Sequence, residues 1–202
     1  MGFENLCMNF YDEPELMEEV FEFITDFTIN AMEKCVREVK PDIVELKEDM
    51  AYKHAPMISP EMFRKFMRKH DIRIIDFFKK HGADVIFVDC DGFPGGLIDE
   101  WIEIGIDAVS PCEVAAGNDL LKLREQYPKF GFMGGIDKRE LAKSKKDIYQ
   151  EVMSKVPQML EKGGFIPHVD HAVPFDVSLE NYKYYNELRS RIIRGESLEG
   201  LA

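Results

Sequence analysis

Residues 85–92 read Val-Ile-Phe-Val-Asp-Cys-Asp-Gly: four apolar positions run straight into two carboxylates that flank a thiol. A short apolar, β-branched run is a rigid arm, and the residues at its end are held in place. With the distant His171, Asp89 and Asp91 suit three kinds of chemistry: proton transfer, ligation of a hard divalent ion, or a grip on a cationic substrate. Carboxylates this close raise one another's pKa in a dry pocket unless a cation stands beside them. Lys53, Arg139, a metal ion or a cationic substrate are the candidates for that cation. Cys90 makes a poor nucleophile, because no His lies near it in sequence and its flanking acids disfavour the thiolate.

The elements that must position these groups repeat. Leu16, Val20, Phe23, Phe27 and Ala31 recur at helical spacing and predict a long amphipathic helix over 13–40, closed by Lys40-Pro41. The segment 42–46 reads as a strand. Ser59-Pro60 then opens a helix over 59–82, with Ser59 as N-cap and Gly82 at its end. Strands are expected next at 84–88, 107–111, 130–135 and 165–169, with helices at 96–105, 118–127, 145–164 and 178–193. "KREL" forms a short helix before the third of these, and the tail from Gly195 is expected to fray. Five strand–helix units predict an α/β fold with a parallel sheet, in one domain spanning 1–202 with its βα units over 41–194.

Each predicted strand delivers ionisable residues to its C-terminal end. They are Lys47, Glu48 and Asp49; Asp89 and Asp91; Cys112 and Glu113; Asp137 and Arg139; Asp170 and His171. In a parallel α/β sheet or barrel those ends share one face, where substrates bind. The competing explanation for any single acid is helix capping, and Asp137 before "KREL" and Asn118 before "DLLKL" fit it well.

Composition narrows the partners. The chain has 38 Asp and Glu against 26 Lys and Arg, a formal charge of −12, which repels a phosphate backbone and argues against nucleic acid. No apolar run approaches the ~20 residues of a membrane helix, and the opening "MGFENLCMNF" has no signal-peptide pattern. The four cysteines form no C-x-x-C pair or disulfide framework, as expected for a reducing cytoplasm.

Taken in order, "EDMAYKHAPMISPEMFRKFM", "VIFVDCDG", "GGIDKRELAK" and "GGFIPHVDHAVPFDVSLENYKYY" resemble the uroporphyrinogen decarboxylase superfamily, which also holds cobalamin-dependent methyltransferases. The resemblance runs from about Pro41 to Arg194. It implies a TIM-type barrel with its site at the strand C-termini, of which this chain supplies about five of eight strands. A partial barrel leaves sheet edges open, so the chain is expected to be a fragment of a longer protein or to associate with itself. The helix over 13–40 is a candidate cover for one edge.

The resemblance implies different chemistry in its two branches. The decarboxylases hold a tetrapyrrole with arginines and an aspartate from the N-terminal part of the barrel, and no Arg-rich motif precedes Tyr11 here. Their late His matches His171. The methyltransferases bind zinc through a His-x-Cys pair and a later Cys; the matching positions here are Asp89, Asp91 and His171, so the thiolates are gone. The resemblance thus implies an enzyme-like protein closer to the corrinoid-linked methyltransferases, acting on a substrate other than a thiol. Asp89, Asp91 and His171 would form its catalytic centre and hold any divalent metal. Glu48, Asp49, Lys53, Glu113, Asp137 and Arg139 would line the substrate site, and the corrinoid would arrive on a partner protein. A uroporphyrinogen decarboxylase and a non-catalytic scaffold are the alternatives.

Overall fold

The computed structural model describes residues 1–201. Five strands form one parallel sheet in the order β1 (Ile43–Lys47), β2 (Val85–Asp89), β3 (Ala108–Ser110), β4 (Gly131–Ile136) and β5 (Phe165–Val169). Spatial order equals chain order, the pattern of successive βα units wound in one direction, consistent with part of a TIM-type barrel. In register, Val109 faces Phe132 across β3–β4, and Phe132 faces Phe165 across β4–β5.

The chain divides into two compact units. The first comprises Met1–Glu45, Ile58–Phe87 and Gly96–Ile106; the second comprises Leu46–Met57, Val88–Gly95 and the chain from Asp107 on.

In the first unit, α1 (Phe3–Asp12) precedes α2 (Pro14–Val39), followed by α3 (Pro60–Phe66), α4 (Arg68–Lys80) and α5 (Leu97–Ile104). Sequence periodicity finds α2 but not α1, which has no side-chain cap and buries no residue. The helix expected over 59–82 is two helices. Ser59 caps the first by accepting from the Met62 N–H, as expected, and the helical run breaks at Met67. Met17 and Thr25 of α2, Phe63 and Phe66 of α3, Ile75 and Phe78 of α4, and Trp101 of α5 are buried. His70 of α4 is also buried; its ring stacks on Phe21 and lies 3.5 Å from the Glu18 carboxylate.

In the second unit, α6 (Leu120–Gln126), α7 (Lys138–Leu141), α8 (Lys145–Lys162) and α9 (Leu179–Arg194) pack with β3–β5 around Phe132, Leu141, Val152, Val156, Met159 and Leu188. Ser144 and Asp147 form a reciprocal capping box at the start of α8. The N-cap of α6 is Asp119, not the expected Asn118. Asp119 accepts from Leu121 and Lys122, whereas buried Asn118 donates to the carbonyls of Gly92 and Glu113 and ties two strand-end loops together. Buried Arg124 donates to the carbonyls of Pro128, Phe130 and Gly164, which satisfies backbone at the entrance to β4 and β5.

Candidate functional site

The polar groups at the strand C-termini all belong to the second unit. Lys47, the last residue of β1, pairs with the Asp89 carboxylate at the end of β2. That contact, with the charges of Asp49 and Asp91 beyond it, holds the Lys47 ammonium above its ordinary pKa. Two residues on, the Asp91 N–H donates to Asp49 at 3.2 Å, and Asp91 Oδ2 lies 3.2 Å from His171 Nε2. These contacts gather the ends of β1, β2 and β5 around Asp91.

A second polar group joins the remaining ends. The Glu113 carboxylate comes after β3 and takes the Lys138 ammonium at 3.0 Å and the Gly92 N–H at 3.3 Å. Asp170, fully buried, accepts from the N–H groups of Val114 (2.8 Å) and Lys138 (3.0 Å), and lies 3.8 Å from the Lys138 ammonium. Two lysines are thus the cations among the acids: Lys47 beside Asp89, and Lys138 beside Glu113 and Asp170. Lys138 is the less obvious of the two. Sequence reading passed over it because it comes after Asp137 in "KREL" and looks like a solvent lysine.

Two clefts open at this face and share Asp91. One, of about 260 Å³, is lined by Lys47, Asp89, His168 and His171 on its polar side and by Pro111, Met133 and Ala172 on its apolar side. The other, of about 290 Å³, is lined by Tyr52, Lys53, Gly92, Glu113 and three alanines. His168 and Tyr52 escaped the sequence reading. Alternation along "FIPHV" marks His168 only as outward-facing, and Tyr52 lies in a loop without periodicity.

Of the expected site residues, Asp89, Asp91, His171, Lys53 and Glu113 line one cleft or the other, and Asp49 supports Asp91. Asp137 and Arg139 line neither. Asp137 caps α7 and is chelated by the Arg139 guanidinium at 2.6–3.1 Å. Burial would raise the Asp137 pKa, but hydrogen bonds and charge from Arg139, with Lys155 beyond, outweigh it and leave the carboxyl below its ordinary value. Among the described residues, no three or more His, Cys, Asp or Glu side chains are grouped to hold a metal ion.

Burial pushes the Cys90 thiol up to about 11, despite N–H groups from Met50 and Ala51 that favour the thiolate. That keeps Cys90 a thiol at neutral pH, as its acidic flanks suggest.

Glu48 is the titrating acid of the group: burial, then the Asp49 charge, push it up to about 7. The folded state therefore binds this proton more tightly than the unfolded chain does. The resulting stabilisation is complete below about pH 4.5 and is lost as pH rises through about 7, by at most ~3 kcal/mol. Glu48→Gln is expected to remove this loss, gaining ~1–3 kcal/mol over wild type at pH 8 and little at pH 4. Urea unfolding at the two pH values measures the difference; an equal pH-dependent loss in the variant would assign the titration to another group.

The sequence profile of the family described as uroporphyrinogen decarboxylase (URO-D) matches residues 1–192. A curated relative, the uroporphyrinogen decarboxylase of Hydrogenobaculum sp. (strain Y04AAS1), is 27% identical over 99 residues, which cover 49% of this chain and 28% of the relative. The chain thus spans less than a third of that relative's length in the matched stretch. With nearly its whole length matched by the family profile, the chain belongs to the uroporphyrinogen decarboxylase (URO-D) family.

Proposed function

We propose that the chain is a URO-D-family methyltransferase, related to the corrinoid-dependent branch, with an acidic site at the strand C-termini. The observation that carries this reading is the Asp91–His171 pair, 3.2 Å apart, at a cleft with one polar and one apolar wall. With His171 Nε2–H donated to Asp91, Nδ1 is the nitrogen left to accept a proton. Asp91 orients the ring and stabilises the imidazolium that forms. His171 would deprotonate a small acceptor while Met133, Pro111 and Ala172 exclude water from its apolar part.

A methylated corrinoid on a partner protein would supply an electrophilic methyl group. The pair is open enough for such an approach, with Asp91 and His171 side chains 40% and 43% exposed. No step is assigned to a metal. Lys47 engages the Asp89 carboxylate.

A second reading, uroporphyrinogen decarboxylase, is favoured by the name of the curated relative. The charges speak against it. A polycarboxylate substrate needs several cations, and the lysines lining the clefts are Lys47, already paired with Asp89, and Lys53.

The test is methyl transfer from methylcobalamin to a panel of phenols, amines and thiols, run beside uroporphyrinogen decarboxylation. The expected result is methyl transfer that falls ~10²–10⁴-fold in His171→Ala. Decarboxylation without methyl transfer would establish the second reading instead.

A further inference from the structure

The second unit holds another cleft, of about 370 Å³, between the start of α8 and the first half of α9. Its walls are Lys145, Lys146 and Tyr149 of α8, Tyr184 of α9, and Gly200 and Leu201 of the tail. That volume falls in the range of small-molecule sites, ~300–1,000 Å³. None of these residues lines the strand-end clefts. The Tyr184 hydroxyl donates to the Leu201 carbonyl, which holds the tail against α9 as one wall.

The charges in the cleft leave one cation over. The Lys145 ammonium pairs with Glu180 at 2.6 Å and lies 5.8 Å from the Tyr184 ring centroid. The nearby Asp147 is held in the capping box with Ser144. Among the described residues, Lys146 takes part in no ion pair or hydrogen bond. It also stands in the first turn of an 18-residue helix, where the positive end of the helix disfavours a base. A base kept against its local preference is the kind of conflict that collects at functional positions.

The aromatic walls add a second requirement. Among the described residues, the Tyr149 hydroxyl makes no hydrogen bond, and the Tyr149 and Tyr184 rings make no contact with each other. A planar group can enter between them, and aromatic rings favour such neighbours. Lys146 and the Tyr149 hydroxyl are both donors, so the group they select is an acceptor with negative charge.

We propose that this cleft binds a small aromatic anion, its charge held by the Lys146 ammonium and the Tyr149 hydroxyl and its ring lodged between Tyr149 and Tyr184. The site is separate from the Asp91–His171 cleft and does not depend on the reaction there.

Calorimetric titration of the 202-residue chain with phenyl phosphate tests the proposal, with inorganic phosphate and phenol as the two halves of the probe. The expected result is saturable binding at one site per chain with a Kd of ~1 mM or tighter. Each half should bind at least ~10-fold more weakly. Lys146→Glu is expected to weaken binding ~10–100-fold and Tyr184→Ala ~10-fold, whereas Tyr184→Phe, which keeps the ring, should stay within ~3-fold of wild type. In a sample carrying 3-fluorotyrosine at its seven tyrosines, the 19F resonances of Tyr149 and Tyr184 should shift while that of Tyr52, at the strand ends, stays in place. Circular dichroism checks that each variant is folded. No saturable binding, inorganic phosphate bound as tightly as phenyl phosphate, binding indifferent to Lys146→Glu, or a shift at Tyr52 in place of Tyr149 and Tyr184 would each overturn it.

Discussion

Replacing Asp170 by Ala is expected to cost ~3–5 kcal/mol and to loosen the loops after β3 and β4 together. The carboxylate is fully buried and accepts two backbone N–H groups, from Val114 at the turn after β3 and from Lys138 at the start of α7. Its loss leaves both half-buried donors without their partner and removes one of the two acids that flank the Lys138 ammonium. Asp170→Asn keeps one acceptor oxygen and should fall between wild type and Ala. Urea unfolding of the three proteins at neutral pH measures the order. An Ala variant within ~1 kcal/mol of wild type would mean that Asp170 does not hold the strand ends together.

The second large effect belongs to Gly134, inside β4. Its φ is +104°, and a Cβ there would stand 1.9 Å from the Pro111 carbonyl oxygen and 2.6 Å from its carbon. Both obstacles are backbone, so no side chain can swing away, and the same oxygen accepts the Gly135 N–H at 2.9 Å. Gly134→Ala must therefore separate β4 from the segment after β3 or adopt a strained backbone, and it breaks a ladder-end hydrogen bond in either case. The expected cost is ~4 kcal/mol or more, a Tm lower by roughly 10 °C or more for a chain of this size. Gly117→Ala is the control. It also has positive φ, but nothing lies within 4 Å of its added Cβ, so only the backbone strain remains. Equal effects at the two glycines would show that close approach to Pro111 is unimportant.

These residues also show which features a reader of the chain can find. The strands were legible because apolar, β-branched runs such as "VIFV" carry their own signal, and each ended within about a residue of its expected place. The break at Met67 was not, because no Gly or Pro marks it: Met67 keeps helical dihedrals and its N–H still bonds Phe63 O. The first helix was hidden for a different reason. It is short, and no capping side chain marks its start.

At the site, the carboxylates were legible by position, since each stands where a strand ends. Their partners were not. That Lys47 belongs to Asp89, Lys138 to Glu113 and Asp170, and Arg139 to Asp137 depends on distances that close only in three dimensions. Asp137 combines both explanations weighed for these acids. It stands at a strand end, yet its carboxylate caps a helix and takes the neighbouring guanidinium.

The central claim is that the strand ends form a small-molecule site around Asp91 and His171. Met133 lines the cleft at that pair, and the protein's 11 methionines give a resolvable set of methyl resonances in a [13Cε]-methionine sample. Titration with the acceptors and with methylcobalamin should shift the Met133 methyl, and the shift should vanish in Asp91→Ala and His171→Ala while Met17 and Met159, buried elsewhere, stay unmoved. Binding that leaves Met133 unshifted, or that persists unchanged in both variants, would contradict the site.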